Sequence, residues 1–464
     1  MDSDMTDAEQ DTQIRDEWGS IDGAFIAAVS DALQVADHGK VRELTRDLHA
    51  ADLADLLENL GQEDRVGLIA SLGKAFDVEA LAELDPGTRD ALVEALPNEV
   101  IAQAIKKLDT DDALYLIEDL EPAERQDILD KVPRQDRAAL SRALDYPENT
   151  AGRLMQTEFV AVPEFWTIGR TIDHVRSEKD LPDEFVEIYV VDPAHHLKGV
   201  VPLSRLMRNQ RDVKITDVMD EEQTVFTVSD EQSDVAYKFE QYNLVSAAVT
   251  DEAGRLVGML MVDDIVDVIQ EEAEEDILHL GGVAAVETLT DTVWDTVRSR
   301  FAWLIVNLAT AILASWVISL FDATISQMVA LAVLMPIVAS MGGNAGTQTM
   351  TVAVRALATR NLGPVNALRI TLRECAVGLV NGVVFAVLMG VFAWWWFGSD
   401  GLGLVIGAAM VINLIAAALA GILIPLSLDY LEIDPAISSG VFVTTVTDVV
   451  GFFAFLGLAA VWLL

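Results

Sequence analysis

ISSGVFVTTVTDVVGFFAFLGLAAVWLL (437–464) decides the fold. It contains one charged residue, Asp448, with apolar side chains on both sides. Four other apolar stretches precede it: Phe301–Phe321, Met328–Ala356, Glu374–Phe397 and Leu402–Leu428. Each reaches the roughly 20 residues that a helix needs to cross about 30 Å of hydrocarbon. Their length and near lack of charge exclude buried helices of a soluble domain. Residues 301–464 therefore read as an all-α membrane domain of five transmembrane helices.

The rest of the chain has a different composition. From Phe301 onward there are four Arg, no Lys and seven acids, against 31 basic and 74 acidic residues in the whole chain. The net charge of −43 therefore lies almost entirely in the first 300 residues. Such a surface repels phosphates, which argues against nucleic acid or anionic lipid headgroups as partners of this part. It fits either cation sensing or the generic acidic surface of a protein in high salt. The single Cys375 excludes an internal disulfide and fits a reducing compartment. Residues 1–20 read as a disordered acidic tail, without the basic segment and apolar core of a signal peptide. Arg298 and Arg300 precede the first span, and Arg355, Arg360, Arg369 and Arg373 lie at or between spans two and three. The positive-inside rule then places the front half in the cytoplasm and the C-terminus outside, with Trp394, Trp395 and Trp396 at the outer interface.

Two kinds of repeat fill the front half. ADLADLLENL (51–60), EVIAQAIKKL (99–108) and DDALYLIEDL (111–120) align in multiples of twelve, with Gly61, Pro86, Pro97, Pro122 and Pro133 at junctions. No one short helix buries its apolar face alone, so 21–145 is expected to stack as an α-superhelix. After Tyr146 the texture becomes β-branched. EIYVVDPAHHLKGVVPLSRLM (187–207) matches SAAVTDEAGRLVGMLMVDDIV (246–266) at an offset of 59. This resembles a tandem pair of α/β CBS domains, at 146–212 and 213–272. In nucleotide-binding members an Asp six residues after the repeat's Gly holds a ribose; Asp264 stands there in the second copy and Arg205 in the first. The resemblance thus admits ATP at Asp264.

Two spans carry polar groups. MPIVASMGGNAGTQTM (335–350) contains Pro336, expected to disturb the helix, then Gly342, Gly343 and Gly346, then Asn344, Thr347, Gln348 and Thr349. Polar groups at such depth must face protein or water. Thr349 alone reads as contact between helices; the cluster reads as a pore lining. An acid at the bilayer centre costs roughly 2.5–3.5 kcal/mol on insertion scales, and no Lys or Arg lies inside a span to answer Asp448. A metal cation is the obvious counter-charge, with oxygens from Thr444, Thr445 and Thr447 nearby. Oxygen-only surroundings favour a hard cation and leave magnesium, calcium, manganese and sodium open.

A third acidic feature is VDDIVDVIQEEAEED (262–276). Asp263, Asp267, Glu271 and Glu275 recur every four residues, with Asp264, Glu272 and Asp276 beside them. Like charges at that spacing repel, and bridging divalent ions would relieve them when acidic surfaces pack together. Thr288–Arg300 reads as an amphipathic stretch along the membrane, within a linker helix at 273–300.

These motifs in this order resemble the MgtE family of magnesium channels. The resemblance rests on Pro336, Gly342-Gly343-Asn344-Gly346 and Gln348 of span two, and on Thr444-Thr445-Thr447-Asp448 of span five. It also rests on Tyr-Pro-Glu-x-Thr-Ala-Gly at 146–152 between a superhelical domain and a CBS pair. It implies a homodimer whose pore lies between subunits, a hydrated Mg2+ held at Asp448, and regulatory magnesium at Asp264, Asp267, Glu272 and Glu275. Two positions depart from the family pattern: Val441 replaces a frequent Pro, and Asn243 a frequent acid. The competing readings are an ion-coupled cation exchanger or exporter, and a membrane-tethered nucleotide sensor that moves no ion. No P-loop, nucleophile elbow or His-rich metal site points to an enzyme.

Overall fold

The computed structural model describes residues 14–179, 181–182, 185–283, 293–363, 365–431 and 433–463. It divides into two compact units, 1–269 and 270–464.

The first unit opens with nine short helices: α1 (Gly23–Gln34), α2 (His38–Leu44), α3 (Ala50–Asn59), α4 (Gln62–Leu72), α5 (Pro86–Ala95), α6 (Asn98–Ile105), α7 (Thr110–Tyr115), α8 (Pro122–Lys131) and α9 (Arg134–Leu144). Punctuation falls where the repeat requires it. Pro86 and Pro122 open α5 and α8, where a missing N–H costs no helical bond. Gly61, Pro97 and Pro133 cap α4, α6 and α9. The Leu and Ile of each repeat converge on one core, with Leu56, Leu57, Leu68, Ile101 and Ile117 all fully buried. The expected disordered tail is shorter than 1–20. Arg15 binds Asp52 and Asp55 at 2.5 and 2.6 Å, and Ile14 packs against the helical core. The expectation for residues 1–13 lies outside the described residues.

Next come α10 (Ala151–Leu154), β1 (Ala161–Pro163), α11 (Ile168–Ser177), β2 (Glu187–Val191), β3 (Leu197–Pro202) and α12 (Leu203–Arg208), then β4 (Val225–Thr227), α13 (Gln232–Tyr242), β5 (Ser246–Thr250), β6 (Leu256–Met261) and α14 (Val262–Leu280). Both sheets have three strands in the order β1-β2-β3 and β4-β5-β6, the first pair parallel and the second antiparallel. The offset of 59 holds to the residue for β2/β5 and β3/β6, down to a register shift at Val190/Val191 and its counterpart at Val249/Thr250.

The opening segments are exchanged between the copies. Tyr146, Ala151, Leu154 and Met155 pack in the core of the second copy, with Phe226, Val235 and Leu260. Val213, Ile215, Val218 and Met219 pack in the core of the first, with Val162, Ile188 and Val201. Gly258 and Gly199 make room: a Cβ at either would lie 2.7 Å from the backbone oxygen of Gln156 or Asp220 respectively. Residues 146–155, which the sequence groups with the first copy, therefore complete the second. Asn243 caps α13 in the left-handed region, φ 51°, a conformation Asn tolerates.

The division between the two units falls within α14. The second unit continues with α15 (Val293–Ser319), α16 (Asp322–Gln327), α17 (Ala330–Ala358), α18 (Ala367–Phe397), α19 (Asp400–Tyr430) and α20 (Pro435–Trp462). Five of these, all but α14 and α16, are long and apolar enough to cross a membrane. Residues 293–300 do not form a separate amphipathic helix; they begin α15, which runs unbroken into the first span. The part of that expectation at 288–292 lies outside the described residues. Pro336 does not interrupt α17, which is continuous over 29 residues. One lost backbone bond is outweighed there by buried Leu334 and Val338 on either side. Helix α20 is also continuous through Val441. The most deeply packed helix is α19, which lies against α17, α18 and α20.

Ile117 is fully buried at the centre of the helical core. Ile117→Ala is expected to destabilise this region by about 2–5 kcal/mol, read as faster amide exchange across α6 to α8 of the full chain. Exchange rates equal to wild type would contradict the packing described.

Candidate ion pathway and acidic sensor

Within the second unit, α17 and α20 run antiparallel, since Met350 and Val354 near the end of α17 pack with Ala436 and Val443 near the start of α20. Their contact depends on small residues. A Cβ on Gly346 would lie 2.6 Å from Val443 and 3.4 Å from Thr447. Thr447 is fully buried, so it serves the helix contact. Thr349 likewise packs on α19, where a Cβ on Gly421 would lie 2.8 Å from it. The other polar residues of α17 face outward: Asn344, Thr347 and Gln348 are exposed on the single chain, and Gly343 has open space before it.

On α20 the hydroxyls of Thr444, Thr445 and Thr447 donate to the carbonyls of Gly440, Val441 and Thr444 at 2.9, 2.6 and 2.9 Å. This satisfies their protons inside the helix and leaves oxygen lone pairs available. Asp448 is half-buried, and among the described residues no Lys, Arg or His forms an ion pair with it. The carboxylate thus stands in an apolar stretch with threonine hydroxyl oxygens on the preceding turn of α20.

Three features of this unit were not read from the sequence. Asn413 on α19 is fully buried and donates Nδ2–H to the carbonyl of Val338 at 2.8 Å. Glu374 and Asn381 of α18 line, with Gln348 and Thr349, a half-open cavity of about 170 Å3. His279 of α14 places Nδ1 3.0 Å from Asp434 Oδ2, while Asp434 Oδ1 accepts from the N–H of Ala436 and caps α20. Leu280 packs with Met350, Val354 and Ala436. A polar residue inside an apolar run was the available signal for Asn413; nothing local marks the His279–Asp434 pair.

The acids of α14 divide between the units. In the first unit Asp263, Asp264 and Asp267 meet acids of the helical domain. Asp264 Oδ2 accepts from Gln156 Nε2 at 3.2 Å and lies beside Asp111, whose two oxygens are closed off from solvent. Burial, and next the charge of Asp264, pushes the Asp111 carboxyl well above its ordinary value. Burial and then Asp109 push Asp112 up to about 7, and burial and then Asp263 push Asp264 up to about 7. Asp267 is raised by burial and by Asp263, and Glu83 by burial and by Asp267. Glu158 is held differently, accepting from Thr110 Oγ1 at 2.8 Å.

In the second unit Glu271, Glu272, Glu275 and Asp276 follow on the same helix. Burial, and next Asp434, raises the Asp276 carboxyl, and Glu275 Oε1 lies 3.6 Å from His279 Nε2. Among the described residues no group of three or more His, Cys, Asp or Glu stands close enough to hold a metal ion. The donors present are carboxylates that gather in pairs. That set fits a hard, hydrated cation taking one or two carboxylates and keeping its waters.

Known proteins match this chain over most of its length. The divalent cation transporter family MgtE matches residues 335–458, the MgtE intracellular N domain residues 48–149, and the CBS domain residues 215–271. The magnesium transporter MgtE of Thermus thermophilus is 32% identical over 437 residues, covering 93% of this chain and 97% of the relative. That of Enterococcus faecalis is 34% identical over 329 residues, covering 71% and 72%. A solved cytosolic domain of the Mg2+ channel MgtE, in complex with ATP, is 30% identical with a TM-score of 0.49, covering 52% of this chain and 99% of that one. The chain belongs to the MgtE family of divalent cation transporters.

Proposed function

We propose that this multi-pass membrane protein is a magnesium-selective, channel-type transporter whose pore forms between two copies of the chain. The carrying observation is Asp448, a carboxylate in a span with no cationic partner among the described residues. The exposed Asn344, Thr347 and Gln348 of α17 support a second copy. Lipid offers such groups no hydrogen bonds, whereas a facing subunit with water between does. Magnesium as cargo rests on the named activity of the relatives. Asp448, with Asn344, Gly343, Thr347, Gln348, Thr444 and Thr445 around it, holds the ion through its waters, as suits a cation that sheds its hydration shell reluctantly.

The direction follows from the basic residues. The first unit is cytoplasmic and the C-terminus outside. The acids on α14, namely Asp263, Asp264, Asp267, Glu271, Glu272, Glu275 and Asp276, act as the regulatory magnesium sensor. Without counter-ions the crowding of Asp263 and Asp264 against Asp111 and Asp112 opposes docking of the helical and CBS domains; magnesium restores it and closes the pore. The bond from His279 to the cap of α20 gives the end of α14 a hold on the helix that carries Asp448. ATP is a further ligand that Asp264 admits by its position, and it would compete there with Gln156 and Asp111.

In proteoliposomes, Asp448→Ala and Asp448→Asn are expected to lose at least about tenfold of magnesium flux, the equivalent of about 1.4 kcal/mol. Wild-type flux and selectivity in both variants would remove the site assignment. The gate is tested by pH. A carboxyl whose pKa rises on docking stabilises the docked state while it is protonated. That contribution is complete below about pH 4 and is lost as pH climbs through about 7, the value for Asp112 and Asp264. Without magnesium, protease attack on the soluble half should therefore be slow at pH 5 and fast at pH 8, and magnesium should abolish the difference. Digestion independent of both pH and magnesium would rule this gate out.

A further inference from the structure

The amide of Asn413 lies between the two helices proposed to line the pore. It is fully buried on α19, and its Nδ2 donates to the carbonyl of Val338 on α17. Two glycines on two different helices admit it. A Cβ on Gly342 of α17 would overlap Nδ2, and a Cβ on Gly451 of α20 would lie 2.7 Å from the same atom. The other end of the amide, Oδ1, is buried with no hydrogen-bond partner among the described residues. Glue between helices would be served as well by the smaller Ser or Thr, whose single oxygen both donates and accepts. An amide wedged between glycines, with half its capacity unused, defines a position instead.

The position it defines concerns the ion pathway. At 1.5 Å of rise per residue, Asn344 lies about 3 Å along α17 from Gly342, and Asp448 about 4.5 Å along α20 from Gly451. Because the two helices are antiparallel, both offsets point the same way. The amide of Asn344 and the carboxylate of Asp448 therefore stand within about 1.5 Å of the same height. A slip of one residue in either helix would separate them.

We propose that Asn413 is a positioning residue that sets the height of Asn344 against Asp448, and through it the discrimination between divalent cations of different size and hydration. This rests on the transport reading above. A small, tightly hydrated cation demands a fixed octahedral outline, whereas a larger one accepts irregular oxygen sets. Loss of register should therefore relax selectivity before it abolishes flux.

The test uses the full chain with Asn413→Leu, similar in volume but unable to donate, and Gly451→Ala as a second variant that displaces the amide from the other side. Two readouts are taken. One is the ratio of magnesium to calcium flux in proteoliposomes. The other is the distance between spin labels at exposed positions 352 and 461, on α17 and α20, in a Cys375→Ser background diluted with unlabelled chain. The expected result is a fall of about fivefold or more in the flux ratio, with a shift of about 1.5 Å or more in the label distance. A wild-type ratio in both variants overturns the proposal, even if the distance moves, because Asn413 would then only pack. A changed ratio at an unchanged distance also overturns it, since the amide would then act by some route other than register. Absence of flux in the wild type would defeat the transport reading instead, and the label distance alone would still decide whether Asn413 fixes the register.

Discussion

A carboxylate in hydrocarbon surroundings, with no cationic partner among the described residues, constrains everything near it. Around Asp448 the helix keeps its threonine protons on its own carbonyls, so that no further unsatisfied donor is added to the burden. The facing helix contributes glycines where it touches and amides or hydroxyls where it turns outward. Such a surface is stable in a membrane only against another protein face or a water-filled path. The proposed transport, pairing of two copies and choice of a hydrated ion all rest on that one charge.

The acids of the first unit obey the same electrostatics with a different remedy. Burial and neighbouring acids raise the carboxyls of Asp111, Asp112 and Asp264, so their negative charges are poorly accommodated together. Protons or divalent cations can relieve the crowding equally well. Among the described residues Asp448 has no titratable crowd around it, whereas Asp111, Asp112 and Asp264 do. In the proposed function the one passes an ion and the other senses it.

Much of this was legible in the sequence because its causes are local or periodic. The offset of 59 survives in strand bounds and even in the irregularity of the hairpins, since the same side-chain pattern makes the same register. Prolines and glycines at repeat junctions mark helix starts for steric reasons that need no tertiary context. Other features depend on partners distant in the chain. Pro336 reads as a break but sits in an unbroken helix, because buried neighbours hold the turn together. The pair His279–Asp434 joins residues 155 positions apart, and no spacing announces it. Thr347 and Thr447 look alike on paper; packing makes one an outward-facing hydroxyl and the other a spacer between helices.

The exchange of opening segments between the two CBS copies limits how the soluble half can be dissected. Met155 and Met219 each plug the interior of the other copy. A cut at the apparent repeat boundary would leave each piece with an apolar cavity and an uncovered methionine arm. The pair is thus a single hydrophobic object written twice, and only expression of both halves together yields closed interiors.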